Sequence, residues 1–401
     1  MLSVEKKNIV LNEILRNLEL PEIAYKKAKE RYEDLGEELS KPKSKIHKYK
    51  PHVYSQGSFR LGTAIKPINE DDAYDLDLAC ELEEGITKKD STQKHVKELV
   101  GEELEKYRIS RGIKEQLEAK HRCWRLEYQD ELNFHIDIVP CIPEEEEKRN
   151  LIKEAMLREG IDTLLSESVA NLTVAITDDR HKKYDKISDD WKISNPQGYA
   201  KWFESRMKLA PPEFLQQRAL FLEKANIDEL PVFEWKTPLQ QAIQLLKRHR
   251  DIMFKDNSDS KPISIIITTL AAKAYNGETE ISETVLNILN RMGNFVNANK
   301  PKVPNPVDPS EDFADKWYDE KYQKYELEKN FYLWLNGAKV NFDLLFATDD
   351  PSIISERIEQ KFKISLDKKI LSNKLGIITP SLNIKPQKEH FETSQKPWLD
   401  I

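Results

Sequence analysis

Apolar positions in the first forty residues recur with a helical period. Leu11, Ile14, Leu15 and Leu18 share a face, Pro21 interrupts, and Tyr25, Ala28, Tyr32 and Leu35 resume the pattern, which predicts helices over residues 1–38. From residue 52 the period shortens to two, and runs at 52–56, 74–80, 123–128 and 133–139 read as strands, interrupted by one helix carrying Val96, Leu99, Val100 and Leu104. The glutamate run Glu144–Glu147 predicts a solvated boundary, beyond which the chain becomes mostly helical. Thr237-Pro238-Leu239-Gln240 has the order of an N-cap, a first-turn proline and a capping-box glutamine, so a long helix starts at about 238 with Ala242, Ile243, Leu246 and Ile252 on its apolar face. The four prolines of residues 300–309 predict a loop, followed by a charged aromatic helix over about 311–335. The expected organisation is a helical arm and basic loop (1–50), a strand-bearing core (51–230), a helical lobe (231–375) and a mobile tail (376–401).

Composition narrows the class. The 401 residues carry 63 basic and 70 acidic side chains, a net charge of −7, and 39% hydrophobic residues, so the chain is neither a histone-like polycation nor too polar to bury a core. Cys80, Cys123 and Cys141 are an odd set without C-x-x-C spacing, which argues against a disulfide framework and a structural zinc and for a reducing cytoplasm. Glu5, Lys6 and Lys7 precede an interrupted apolar stretch unlike a signal peptide. The most apolar segment, 263–272, is broken by Ser264, Thr268 and Thr269 and falls short of the roughly 20 residues that a spanning helix needs, so no membrane association is expected. Lys41, Lys43, Lys45, Lys48 and Lys50 read as a solvated basic loop.

The chemistry concentrates in Gln56-Gly57-Ser58-Phe59-Arg60-Leu61-Gly62-Thr63, then Asp75-Leu76-Asp77, and sixty residues later Asp137 between Ile136 and Ile138. In a strand Asp75 and Asp77 share one face while Tyr74, Leu76 and Leu78 share the other. If the strand of Asp137 lies alongside, three carboxylates crowd together and repel unless a cation intervenes. Magnesium fits, because it takes oxygen ligands and keeps waters and substrate phosphates in its shell, as two-metal phosphoryl or nucleotidyl transfer requires. The Gly-Ser would offer exposed N–H groups and a hydroxyl to a triphosphate. The glycine spacing 57–62 resembles a P-loop, but Thr63 stands where the phosphate-binding lysine belongs, and that reading fails.

These motifs resemble the bacterial cyclic GMP-AMP synthase-like and dinucleotide-cyclase-like nucleotidyltransferases of antiphage systems, which share the DNA polymerase β-type fold. The likeness extends to Ser194–Phe203, to Thr237–Gln240 leading into Leu245–Asp251, and to Pro262–Leu270. It implies an α+β fold: a polymerase β-like core, a mixed sheet with flanking helices, plus a helical C-terminal lobe. It also implies synthesis of a cyclic di- or trinucleotide second messenger from nucleoside triphosphates, ATP among them, that activates a separate effector. The implied roles are metal binding by Asp75, Asp77 and Asp137 with two Mg²⁺, replaceable by Mn²⁺, and phosphate contacts by Gln56, Gly57, Ser58, Lys247 and Ser264. No obligatory nucleic-acid activator is expected. Two alternatives are a linear transferase acting on RNA or protein and a nucleotide-binding pseudoenzyme, the second opposed by the complete carboxylate and Gly-Ser set.

Blander readings apply to the neighbours. The Lys247–Arg250 run could be a solvated helix face, and Ser264 a helix cap. His135 is expected to support Asp137's strand rather than act as a base, Tyr199 and Trp202 to pack in the core, and Cys80 and Cys141 to be buried and unreactive.

Overall fold

A computed structural model describes residues 2–69, 71–129, 132–211 and 236–377. The helices begin where the apolar period predicts them: α1 (Val4–Leu18) is capped by Ser3, and Pro21 stands at the N-cap of α2 (Glu22–Leu39). Strand β1 (Pro51–Gln56) runs into the one-turn helix α3 (Gly57–Leu61), and β2 (Tyr74–Leu82) follows. Helix α4 (Gln93–Ser110), β3 (Glu118–Ala119), β4 (Trp124–Tyr128) and β5 (Phe134–Pro143) complete the first half. Beyond them come α5 (Glu146–Arg158), α6 (Thr163–Ala170), β6 (Val174–Ile176), β7 (Lys192–Ser194) and α7 (Pro196–Met207). The last part holds α8 (Pro238–Met253), α9 (Ser264–Ala274), α10 (Ile281–Arg291), the ribbon β8 (Pro304–Asn305) and β9 (Asp308–Asp312), α11 (Leu327–Phe346), α12 (Pro351–Phe362) and α13 (Lys368–Lys374). The expected boundary near residue 230 and the tail beyond 377 lie outside the described residues.

The sheet has the order β1-β2-β5-β4-β3, with β6 and β7 attached to the far end of β5. It is mixed: β2 and β5 are parallel and the other pairs antiparallel. Leu76, Leu78, Cys80, Leu82, Ile136 and Ile138 form its buried face and pack against α2 and α4 through Ala28, Leu35, Val100 and Leu104. A second core joins α1, α5 to α13 and their connections. The first fifty residues therefore divide, α1 entering the helical core and α2 the sheet core. Two positions depart from the periodicity. Glu144 is buried against Lys88 instead of marking a solvated boundary, because that lysine supplies the counter-charge a buried carboxylate needs. Residues 311–325 form the end of β9 and two short 3-10 turns rather than the start of a helix. Here the Asp312 carboxylate accepts from the N–H groups of Lys302, Val303 and Ala314, tying the chain into a turn that competes with helix. The helix proper starts at Leu327, after Glu326 adopts φ 47°.

Candidate active site

The carboxylates owe their placement to strand register. Across the sheet Gln56, Asp77, Asp137 and Arg125 stand in one row, and Asp75, His135 and Glu127 in the next. Asp77 is half-buried, and desolvation first, then the charges of Asp137 and Asp75, pushes its carboxyl up to about 7. Asp75 is 71% exposed. Asp137 is engaged: Arg125 donates from Nε and Nη2 to its two oxygens at 2.7 and 2.8 Å. Among the described residues no three acidic, imidazole or thiol side chains are drawn into a ready metal cluster. The three aspartates share a face as expected, while Arg125 places a counter-charge directly on Asp137. His135 bridges the second row, its Nδ1 3.5 Å from Asp75 and its Nε2 3.7 Å from Glu127, which places it beside the reactive face as a support.

Gly57 opens α3 at φ 65°, and a Cβ built there would lie 2.2 Å from Oδ2 of Asp77, so only glycine permits the close approach of cradle and carboxylate. A cavity of about 1150 Å³ spreads over this corner, lined by Gly57, Ser58, Asp75, Asp77, Lys247 and Ser264 among others. Gln56 turns its amide to the carbonyl of Leu78 at 3.1 Å. Six of the eight expected site residues thus line one cavity; Asp137 stands one strand away, and Gln56 is spent on the sheet.

The basic run of α8 is not a solvated face. Lys247, Arg248, His249 and Arg250 are all buried, because this helix is surrounded by α1, α9, α10, α11 and α12. Lys247 donates to the carbonyl of Thr63 at 3.0 Å, and burial together with Arg250 lowers its pKa to about 8. Ser264 is the first residue of α9 rather than its cap, and its hydroxyl accepts from Arg250 at 2.9 Å. Tyr199 and Trp202 are core residues, the Tyr199 hydroxyl meeting that of Thr269 at 2.8 Å. Cys80 and Cys141 are buried, with their thiols pushed up by that burial. Arg125 was missed by sequence reasoning: nothing local in Trp-Arg-Leu-Glu-Tyr says which strand it will oppose.

A mixed sheet carrying Asp-x-Asp beside a Gly-Ser turn, a third aspartate on the adjacent parallel strand and a helical lobe closing the cavity define a nucleotidyltransferase of the DNA polymerase β-like class. Residues 51–141 match the cyclic GMP-AMP synthase DncV-like, nucleotidyltransferase domain family. A c-di-GMP synthase of Roseivirga ehrenbergii is 31% identical over 327 residues, spanning 80% of this chain and 74% of that one. The cyclic dinucleotide synthase CdnG of Bradyrhizobium diazoefficiens is 25% identical over 350 residues, 82% of this chain and 74% of its own. In fold, the solved CdnG of that organism in complex with GTP matches with TM-score 0.62 at 20% identity, over 92% of this chain and 98% of that one. The structure of E. coli MS115-1 CdnC with ATP matches with TM-score 0.57 at 12% identity, over 90% and 98%. The chain belongs to the family of DncV-like nucleotidyltransferases that synthesise cyclic oligonucleotides.

Proposed function

We propose that the protein joins two molecules of GTP into cyclic di-GMP as a second messenger, releasing two pyrophosphates. The observation that carries the chemistry is the single cavity in which Ser58, Asp75, Asp77 and Lys247 converge. Guanine is chosen over the adenine expected from sequence because the relative at 31% identity is named a c-di-GMP synthase. In each condensation a ribose hydroxyl oxygen bonds to the α-phosphorus of a second triphosphate while the α–β phosphoanhydride breaks and pyrophosphate departs. The linear intermediate repeats the step on itself to close the ring.

The donor set suits Mg²⁺ or Mn²⁺: three aspartates offer only oxygen, on one face, beside a basic triphosphate cavity. Asp75 and Asp77 would hold the ion on the donor triphosphate and Asp137 would join them for the second. Bound there, such ions supply charge neutralisation and lower the pKa of the attacking hydroxyl. Within the chain, Gly57 and Ser58 cradle the phosphates, Lys247 offsets their charge, and Ser264 with Arg250 forms the opposite wall. Arg125 must release Asp137 when it takes up this role.

The basic loop favours the absence of an obligatory nucleic-acid activator, since Lys41 and Lys43 pair with Glu38, Lys45 with Glu102 and Lys50 with Glu84. Paired charges project a weaker field toward a polyanion. A cytoplasmic role in antiphage signalling through a cyclic-nucleotide-activated effector follows from the same reading; no described helix is long and apolar enough to cross a membrane.

The test is incubation with the four ribonucleoside triphosphates and Mg²⁺ or Mn²⁺, then phosphatase and mass spectrometry, with and without duplex DNA or RNA. A phosphatase-resistant cyclic di-GMP, missing from the Asp75→Ala/Asp77→Ala control and unaffected by duplex, is expected. A cyclic product with another base overturns the guanine assignment, linear product alone overturns the cyclase, and strong stimulation by duplex overturns activator independence.

A further inference from the structure

Between α3 and β2 the chain passes along α8 as a strap. Residues 63–67 belong to no helix or strand, so their backbone carbonyls have no ladder to join. Side chains of one face of α8 serve them instead. Gln240 Nε2 donates to the carbonyl of Leu61 at 2.9 Å, Gln244 Nε2 to that of Ala64 at 2.8 Å, Lys247 Nζ to that of Thr63 at 3.0 Å, and Arg248 to those of Lys66 and Pro67. Positions 240, 244, 247 and 248 lie on one side of a helix. Strap and helix therefore run side by side in the same direction, and the strap forms a wall of the cavity through Thr63, Ala64, Ile65, Lys66 and Pro67.

The strap connects the two cores. At its start the N–H of Thr63 donates to the carbonyl of Ser58 at 2.9 Å, and at its end the N–H of Lys66 donates to the carbonyl of Leu18, the last residue of α1, at 2.8 Å. Both α1 and α8 belong to the helical core, whereas Asp75 and Asp77 lie on β2, whose alternate residues build the sheet core. The cradle is thus tied to the carboxylates from one side through β1, whose Gln56 pairs with Asp77, and anchored to the helical core from the other by the strap that α8 holds. Holding it leaves Gln244 Oε1 and Arg248 Nε buried without a hydrogen-bond partner among the described residues. An apolar helix face would avoid that cost, which makes stability alone a poor reason for these side chains.

We propose that Gln244 and Arg248, with Gln240, are positioning residues for the nucleoside triphosphate: they fix strap 61–67, and through it Ser58, at the spacing from the aspartates that the phosphates require. This rests on the reading that the cavity binds a nucleoside triphosphate. Gln244→Met keeps the side chain's length and removes its donor; Arg248→Lys keeps a donor where Arg248→Met does not.

The full-length variants are titrated with the fluorescent analogue mant-GTP in Mg²⁺, alongside melting temperature and KM against kcat for GTP. Gln244→Met and Arg248→Met are expected to raise Kd and KM about tenfold, the loss expected for one buried hydrogen bond, with Arg248→Lys within about threefold of the wild type. A purely structural role predicts lower melting temperatures and lower kcat with Kd and KM unmoved, and that result overturns the proposal. A wild-type protein that binds neither mant-GTP nor mant-ATP overturns the nucleotide reading itself, whatever the variants do.

Discussion

The guanidinium of Arg125 holds both carboxylate oxygens of Asp137, at 2.7 and 2.8 Å, from the position directly opposite it on the antiparallel neighbour strand. An arginine fork on a carboxylate is a strong, geometrically specific pairing. It places a positive charge on the third aspartate, so on the proposed reading of Asp137 as a metal ligand the arginine would oppose the ion.

Arg125→Met should therefore bind Mn²⁺ more tightly than the wild type in the absence of nucleotide. The expected gain is on the order of tenfold, reflecting the roughly 1.5–3 kcal/mol of a charged hydrogen bond. Calorimetric titration with Mn²⁺ measures it, and an unchanged Kd would show that the pairing opposes nothing.

Asp77 predicts a pH-dependent stability of the metal-free protein. Its folded pKa of about 7 lies above the ordinary value of 3.8. The folded state thus holds the proton more tightly, and that contribution is complete below about pH 4 and disappears as the pH rises through about 7. With chelator present, Asp77→Asn should be more stable than the wild type at pH 8, by roughly 2–4 kcal/mol, and lose that advantage toward pH 4. Melting curves across the range check the sign; Mg²⁺ should then stabilise the wild type and leave the variant unmoved.

Gly57→Ala should disable the enzyme although it removes no polar group. The added methyl meets Asp77 at 2.2 Å in a backbone of φ 65°. Turnover is expected to fall at least about a hundredfold and the melting temperature to drop, since the backbone at positive φ strains any residue with a Cβ and the methyl displaces the Asp77 carboxylate. Wild-type kinetics in this variant would refute the close approach.

Single replacement of Asp75 or Asp77 by alanine should lower product formation by about three orders of magnitude or more, as should removal of divalent ions by chelator, with only the latter restored by added Mg²⁺. Radiolabelled GTP separated by thin-layer chromatography gives the readout. Activity surviving chelation would remove the metal from the mechanism.

Lys247 gives a pH signature on binding. A lysine lowered to about 8 carries its charge below that pH and loses it above. If it offsets phosphate charge, KM for GTP rises as the pH passes about 8, and Lys247→Arg flattens that rise because guanidinium stays protonated. An identical profile in the variant would take Lys247 out of phosphate binding.

Local pattern carried much of this protein. The period of three to four in α1 and α2, the alternation in β2, and the cap of α8 at Thr237 are decided by neighbours within a few residues, so the string of side chains suffices to find them. The same holds for Gly57-Ser58 and Asp75-x-Asp77, whose chemistry depends on one turn and one strand. Asp137 was legible too, through the apolar residues that flank it.

What lay beyond that reach depends on contacts between segments distant in the chain. Which strand Arg125 would face is a matter of register between β4 and β5, and a shift of one residue would have turned it to the other side. Lys247 to Arg250 are buried only because five helices surround α8, and Glu144 only because Lys88 arrives to neutralise it. The hold of α8 on the strap joins residues about 180 apart in sequence. Sequence alone thus determined the elements with a clear local period and the class of chemistry, since both follow from short-range sterics and side-chain type; tertiary packing decided which charges are buried, which are paired and what holds the cradle in place, because desolvation and hydrogen bonding are set by whatever the fold brings alongside.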